Sequence, residues 1–193
     1  MVDLLTEGVL DATVATRLLE EVGLEAGRLF GRSGRAALLE RLHRYNEAAS
    51  YSPWLVIVDL EATPPCVADF VAQHLPNPNE HMRFRVAVHS IESWLMGDRD
   101  TLARFMRVSR DRFPHSPDEL QHPKRHLINI ARHSTLRRIA RGIIPRQGSG
   151  ASQGPLYTSL MQDFVKTHWR PEVASLASPS LHRCLNALQT LGD

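Results

Sequence analysis

The pattern of hydrophobic and polar residues in the first half of the chain alternates between short apolar runs and helix-like segments. The continuously apolar, β-branched run Trp54–Asp59 predicts a buried central strand of a parallel sheet. Shorter apolar runs at residues 2–6, 24–30 and 84–88 predict further strands, and residues 9–22, 35–49, 66–75 and 91–96 show helical spacing. This alternation predicts an α/β fold with a doubly wound, mostly parallel sheet.

The pattern changes after residue 98, where helical segments continue and no clear strand follows. Helices are predicted at residues 101–106, 124–133, 136–144, 157–168 and 181–191, and prolines separate them. The Gly/Ser-rich residues 147–154 predict a loop. We therefore expect an α/β core of residues 1–98 and a helical extension of residues 99–193 that packs on the core.

The composition is that of a globular protein, with 42% hydrophobic and 23% charged residues. No apolar run reaches the roughly 18 residues of a membrane-spanning helix, and the first residues lack the basic and apolar regions of a signal peptide. The two cysteines, Cys66 and Cys184, are far apart and predict buried, reduced thiols instead of a disulfide framework. We expect a cytoplasmic protein that does not bind membranes.

Charge is distributed unevenly along the chain, although the net charge is only +2. Residues 1–103 contain nine Lys or Arg and fifteen Asp or Glu, whereas residues 104–146 contain eleven Lys or Arg and three Asp or Glu. An acidic half followed by a basic segment is typical of a metal site beside a phosphate-binding surface. It is equally typical of two halves of one fold that neutralise each other, and both interpretations stay open.

Carboxylates follow several of the predicted strands. Glu7 follows the first strand, Asp59 ends the central strand with Glu61 two residues later, and Glu92 follows a later strand. Because the carboxyl ends of parallel strands line one edge of a sheet, these side chains are expected to converge there. Hard carboxylate oxygens without a Cys/His quartet favour Mg²⁺ or Mn²⁺. Taken singly, each of these carboxylates is also explained as a residue of a turn or of a helix terminus. Asp98, further along the chain, is interpreted as a helix cap.

Basic residues further along the chain are candidates for phosphate contacts. Lys124 follows Pro123 at a predicted helix start, where backbone N–H groups also favour anions. Several arginines could contact a nucleic acid backbone, namely Arg132, Arg137, Arg138 and Arg141. A solvated surface lysine and a solvated helix face are the alternative interpretations.

The order of these motifs resembles that of a Toprim domain. Toprim domains carry a Glu after the first strand, usually followed by Gly, and an Asp-x-Asp after a later hydrophobic strand. Glu7-Gly8 and Asp59-Leu60-Glu61 occupy these places here. The wider layout, including the block at residues 91–98, is similar to small Toprim-like proteins related to the nuclease part of overcoming-lysogenization-defect (OLD) proteins. The shared features extend through nearly the whole chain.

The resemblance implies a Toprim-like fold and Mg²⁺ or Mn²⁺ bound by Glu7, Asp59, Glu61 and Glu92. By analogy it implies cleavage of DNA or RNA, with Glu7, Asp59, Glu61 and Lys124 as catalytic residues. Glu61 departs from the family's second Asp and moves the carboxylate outward by one methylene. Such relatives are associated with ATPases in phage-defence modules, so an ATPase is an expected partner.

Three hypotheses about function stay open from the sequence. The first is a metal-dependent nuclease. The second is a non-catalytic Toprim-like partner or regulatory subunit of an ATPase or nucleic-acid complex. The third is a small-molecule phosphohydrolase, which would use the same metals without needing the basic segment. The sequence does not indicate the oligomeric state.

Overall fold

A four-stranded parallel sheet is the centre of the first half of the protein. The structure is a computed structural model that describes residues 1–31, 34–60 and 66–191. Its strands are β1 (Val2–Thr6), β2 (Ala26–Gly31), β3 (Trp54–Asp59) and β4 (Met82–Ala87), which lie in the order β2-β1-β3-β4. All three strand pairs are parallel, so the carboxyl ends of all four strands lie at the same edge.

Helices connect consecutive strands of the sheet: α1 (Val9–Glu21), α2 (Arg35–Ala48) and α3 (Val67–His74). The chain passes from β1 to β2 on one side and then returns to β3 on the other side of β1. The direction of winding therefore reverses between β1 and β3. In open α/β sheets, ligands bind in the crevice at the carboxyl ends of the strands beside such a reversal.

Both faces of the sheet are covered, which explains why β1 and β3 are apolar almost throughout. Leu4 and Ile57 face a large cluster that contains buried side chains of α1 and of the second half of the chain. Leu5 and Val56 face a smaller cluster with side chains of α2 and α3. Strands buried on both faces have continuous apolar runs instead of alternating ones.

The second half of the described chain is helical. Its helices are α4 (Ile91–Gly97), α5 (Arg99–Met106), α6 (Pro123–Ala131), α7 (Arg137–Ile143), α8 (Tyr157–Thr167), α9 (Pro171–Ser175) and α10 (Pro179–Gln189), with 3₁₀ turns at Arg110–Arg112 and Pro117–Glu119. Buried side chains of α6, α8 and α10, among them Leu127, Phe164 and Leu181, belong to the same cluster as Leu4 and Ile57. The helices therefore pack on the sheet through one continuous hydrophobic core.

An ion pair between the buried Asp98 and the half-exposed Arg170 joins three of these helices. Asp98 is fully buried at the start of α5, where its carboxylate accepts a hydrogen bond from the backbone N–H of Thr101. Arg170, at the start of α9, donates from Nη2 and Nε to the two oxygens of Asp98 at 2.6 and 2.9 Å. At Gly97 a Cβ atom would lie 2.4 Å from the carbonyl oxygen of Ala174, so α4 and α9 approach closely. The predicted capping role of Asp98 is confirmed.

The predicted α/β architecture with parallel strands is confirmed, and the bounds predicted for β1 and β3 are those observed. The α9 helix was not predicted because Pro171 was interpreted only as a break, whereas proline at the first position of a helix starts one.

The prediction of two buried thiols is wrong for Cys66, which is exposed, and correct for Cys184. Within the described residues, no helix combines the length and apolarity needed to cross a membrane.

Candidate functional site

The carboxylates that follow β1 and β3 meet at the point where the winding of the sheet reverses. Glu7 and Asp59 belong to neighbouring strand ends, and Oε1 of Glu7 accepts a hydrogen bond from the backbone N–H of Asp59 at 2.9 Å. Oδ1 of Asp59 in turn accepts from the N–H of Ile91, the first residue of α4, at 2.9 Å. These bonds connect the ends of β1 and β3 to the helix that follows β4.

Glu92, in the first turn of α4, is buried. Its Oε2 accepts a hydrogen bond from Oγ of Ser90 at 2.7 Å, and its Oε1 accepts one from the hydroxyl of Tyr157 at 2.8 Å. Tyr157 begins α8 and is itself buried. A side chain of the helical half therefore fixes the orientation of a carboxylate of the α/β half.

A cavity of about 330 Å³ brings these groups together and adds a carboxylate that the sequence interpretation did not single out. We call it the carboxylate cavity; it is lined by Gly8, Val9, Leu10, Asp11, Asp59, Ser90, Ile91, Glu92, Lys124, Gln153, Tyr157 and Thr158. Asp11 lies in the first turn of α1, one helical turn after Glu7. Three carboxylates of the described chain thus line the cavity, and Glu7 accepts a hydrogen bond from the backbone of one of these residues, Asp59.

Negative charges raise one another's pKa in this cavity. Burial raises the pKa of Asp59 well above its ordinary value, and the charges of Asp11, Glu92 and Glu7 raise it further, against the hydrogen bond from Ile91. Burial and the charge of Glu92 also raise the pKa of Asp11. The site therefore favours binding of a positive charge or a proton.

Lys124 supplies the positive charge that lines this cavity. Its Nζ lies 5.0 Å from the ring centroid of Tyr157, and its charge acts to lower the pKa of Asp11. Burial raises the pKa of Tyr157 well above its ordinary value, and the charge and hydrogen bond of Glu92 add to this effect, so the phenol keeps its proton at neutral pH. The structure thus places Lys124 beside Asp59 and Glu92, three residues that the sequence analysis singled out.

The other predicted site residues have different positions. Glu61 lies outside the described residues. Arg132 lines a second cavity, described below, whereas the remaining three candidate arginines are exposed on α7, namely Arg137, Arg138 and Arg141. Arg138 approaches Asp163 of α8 at 3.7 Å, which is an ordinary surface pair.

The donor chemistry of the carboxylate cavity suits a hard divalent cation. Carboxylate oxygens are the preferred ligands of Mg²⁺, and closely placed carboxylates tolerate one another best with a cation between them. In the side-chain arrangement of the described residues, however, no group of three His, Cys, Asp or Glu is close enough to hold a metal ion. Three carboxylates, those of Glu7, Asp59 and Glu92, already accept hydrogen bonds from protein groups.

Asp11, Ser90 and Tyr157 are the residues of the site that sequence reasoning did not identify. Asp11 follows Glu7 by four residues and lies in the first turn of the helix that begins after Glu7, so a signal existed for it. Tyr157 is separated from Glu92 by 65 residues and carries no local signal.

Comparison with models of protein families, with curated proteins and with solved structures found no match to this chain.

Proposed function

We propose that this protein performs Mg²⁺- or Mn²⁺-dependent phosphodiester hydrolysis on nucleic acid, in a Toprim-like α/β fold. One observation carries the proposal: Asp11, Asp59 and Glu92 line a single cavity with Lys124, at the carboxyl edge of a parallel sheet where its winding reverses. An anionic substrate is repelled by the carboxylates unless a cation lies between them, and the lysine attracts it. Carboxylates beside a lysine therefore suit a metal-dependent reaction of an anionic substrate.

In this proposal Asp11, Asp59 and Glu92 hold the metal, and Glu7 and Glu61 stay candidate ligands from the sequence. The metal, when bound, activates water and stabilises the leaving oxygen of the phosphodiester. Lys124 binds a non-bridging phosphate oxygen and offsets charge that develops on it. Ser90 and Tyr157 act on the substrate only indirectly, because they orient the Glu92 carboxylate.

The α/β architecture supports the Toprim-like assignment without deciding it, since one fold serves many functions. The sequence resemblance to OLD-related proteins adds an ATPase partner in a phage-defence module to the proposal.

A second candidate function is that of a non-catalytic Toprim-like partner or regulatory subunit. It is favoured by the hydrogen bonds that already engage Glu7, Asp59 and Glu92, which would have to rearrange around a metal. The replacement of the second family Asp by Glu61 points the same way. The two candidate functions share the same fold and differ in whether the protein catalyses a reaction.

The decisive experiment is Mn²⁺-dependent cleavage of supercoiled and linear DNA and of RNA, with Asp59→Ala beside the wild type. We expect cleavage by the wild type and none by the variant, and Arg183→Gln on α10 as a matched surface control keeps full activity. Turnover that survives in Asp59→Ala would contradict the proposed site. An inert wild type that still binds metal would support the non-catalytic candidate.

Thermal melting in Mg²⁺, Mn²⁺ and EDTA tests the metal site separately. A ligand that binds only the folded protein stabilises it by about 2.7 kcal/mol at a hundredfold excess over Kd. The absence of any shift with either ion would contradict the metal site and the nuclease proposal that depends on it.

A further inference from the structure

A second, larger cavity opens beside the carboxylate cavity. We call it the α6 groove; its volume is about 730 Å³, and it is lined mainly by residues 121–132 on one side and by Pro145 and Ser152 on another. Asp59, Ser90 and Lys124 line both cavities. A ligand in the groove therefore reaches the carboxylates without crossing another element.

The groove is strongly cationic. Lys124, Arg125 and Arg132 line it, and among the described residues Asp59, at the border with the carboxylate cavity, is the one carboxylate in its lining. Within the described residues, no ion pair joins these three cations to an acid. The chain between Glu119 and Asp163 contains seven Lys or Arg and no Asp or Glu. Arg125 and Arg132 do not line the carboxylate cavity, and their charge, with that of Lys124 at its border, matches a polyanion.

The groove also contains surfaces that a phosphate backbone alone does not need. His89 and His122 line it, together with Pro123, Ile128 and Pro145. A duplex presents phosphates and sugars to a protein and keeps the faces of its bases stacked inside. The bases of a single strand are exposed, and they stack on aromatic rings, histidine included, beside cations that follow the backbone.

The size of the groove agrees with this distinction. A cavity of 730 Å³ lies within the about 300–1,000 Å³ of pockets that enclose a small organic ligand. Such a space accommodates a short stretch of one strand with its bases inside the groove. We propose that the α6 groove binds single-stranded nucleic acid and positions one phosphodiester at the carboxylate cavity. Cleavage of that strand rests on the proposed function, but its binding does not.

Binding is tested in EDTA, where turnover does not interfere, by fluorescence anisotropy at near-physiological salt. The probes are a labelled oligothymidine and the blunt duplex that it forms with oligodeoxyadenosine. We expect the single strand to bind at least about tenfold more tightly, because each stacked base contributes about 1–3 kcal/mol. Equal affinities, a preference for the duplex, or no binding of either probe would overturn the proposal.

Two variants locate the binding. His122→Ala is expected to weaken single-strand binding about tenfold and to leave duplex binding unchanged, because it removes only a stacking surface. Arg132→Gln is expected to weaken both and to reduce the salt dependence by about one phosphate contact. The matched controls are His182→Ala and Arg183→Gln, two exposed residues of α10 that do not line the groove. A single-strand preference that both groove variants keep in full would place the binding elsewhere and overturn the proposal.

The two proposals fail in distinguishable ways. Single-strand binding through the groove without metal-dependent cleavage would contradict the nuclease proposal and leave the groove assigned. Cleavage that requires Asp59 but shows no preference for single strands would leave the nuclease in place and contradict the groove. Circular dichroism and melting of each variant confirm that it is folded.

Discussion

Asp59 is surrounded by negative charges in a partly buried position. Its pKa is raised by burial first and then by Asp11, Glu92 and Glu7. When a carboxyl has a higher pKa in the folded than in the unfolded protein, its stabilising contribution is complete at pH values below its pKa in the unfolded protein. That contribution is lost as pH rises through the folded pKa. Ionised Asp59 therefore makes the metal-free protein less stable at neutral pH.

The variant Asp59→Asn is expected to be more stable than the wild type in EDTA at neutral pH. Asparagine removes the charge and can still accept the hydrogen bond from Ile91. For a chain of this length Tm rises by about 2–4 °C for each kcal/mol that is relieved. The gain in Tm should shrink as pH falls towards 3.8, the ordinary pKa of Asp, because Asp59 of the wild type then becomes protonated as well. Differential scanning fluorimetry across pH measures it, and a lower Tm of the variant at neutral pH would contradict the electrostatic interpretation.

Tyr157→Phe tests how Glu92 is held. The change deletes the hydroxyl that donates to Oε1 of Glu92 and leaves the ring. We expect a loss of about 1–3 kcal/mol in the free energy of unfolding, because a buried carboxylate loses a partner. Urea denaturation measures this loss. Tyr51→Phe is the control, since Tyr51 is 92% exposed, and equal effects of the two changes would contradict the role of Tyr157.

At the scale of the helices, the Asp98–Arg170 pair joins α4, α5 and α9. Asp98 is fully buried, whereas the side chain of Arg170 is 46% exposed, so Asp98→Ala leaves a solvated cation but deprives the backbone N–H groups of Thr101 and Arg170 of their acceptor. We expect Asp98→Ala to cost about 1–3 kcal/mol in the free energy of unfolding. The exposed pair of Asp100 and Arg110 is the control, because Asp100→Ala is expected to cost less than about 1 kcal/mol. Chemical denaturation of both variants compares the two losses. Similar losses would show that the burial of Asp98 has little energetic effect.

The sequence allowed some elements to be predicted better than others, for physical reasons. β3 was recognisable because both of its faces are buried, which leaves a continuous apolar run. β2 is an edge strand with half-exposed residues, and its predicted start was two residues early. The short α9 helix has only five residues and no periodicity to detect.

The same reasoning applies to the candidate site. The convergence of Glu7, Asp59 and Glu92 could be predicted because parallel strands share an edge. The place of Lys124 beside them followed from the position of α6, which no periodicity indicates. Tyr157 reaches the site through tertiary packing across the whole chain, and this required a structure.

At the scale of the whole molecule, the two halves share one hydrophobic core. Leu4 and Ile57 of the sheet pack in the same cluster as Leu127 and Phe164, and the indole N–H of Trp94 donates to Ser180 of α10. A protein of residues 1–98 alone is therefore expected to lack a cooperative thermal transition, because one face of its sheet is uncovered. Thermal melting of the fragment and of the full chain, followed by circular dichroism, measures whether the transition is cooperative. A sharp transition of the fragment would show that the α/β half folds independently.

The hydrogen bond between Glu92 and Tyr157 also has a consequence for the time at which the carboxylate cavity is completed. During translation the residues of the sheet are made first, and about 5–20 s separate the synthesis of Asp59 from that of Tyr157 at about 5–20 residues per second. Until α8 has left the ribosome and docked, Glu92 has no phenol to hold it. A nascent chain would therefore emerge from the ribosome with its carboxylate cavity still incomplete.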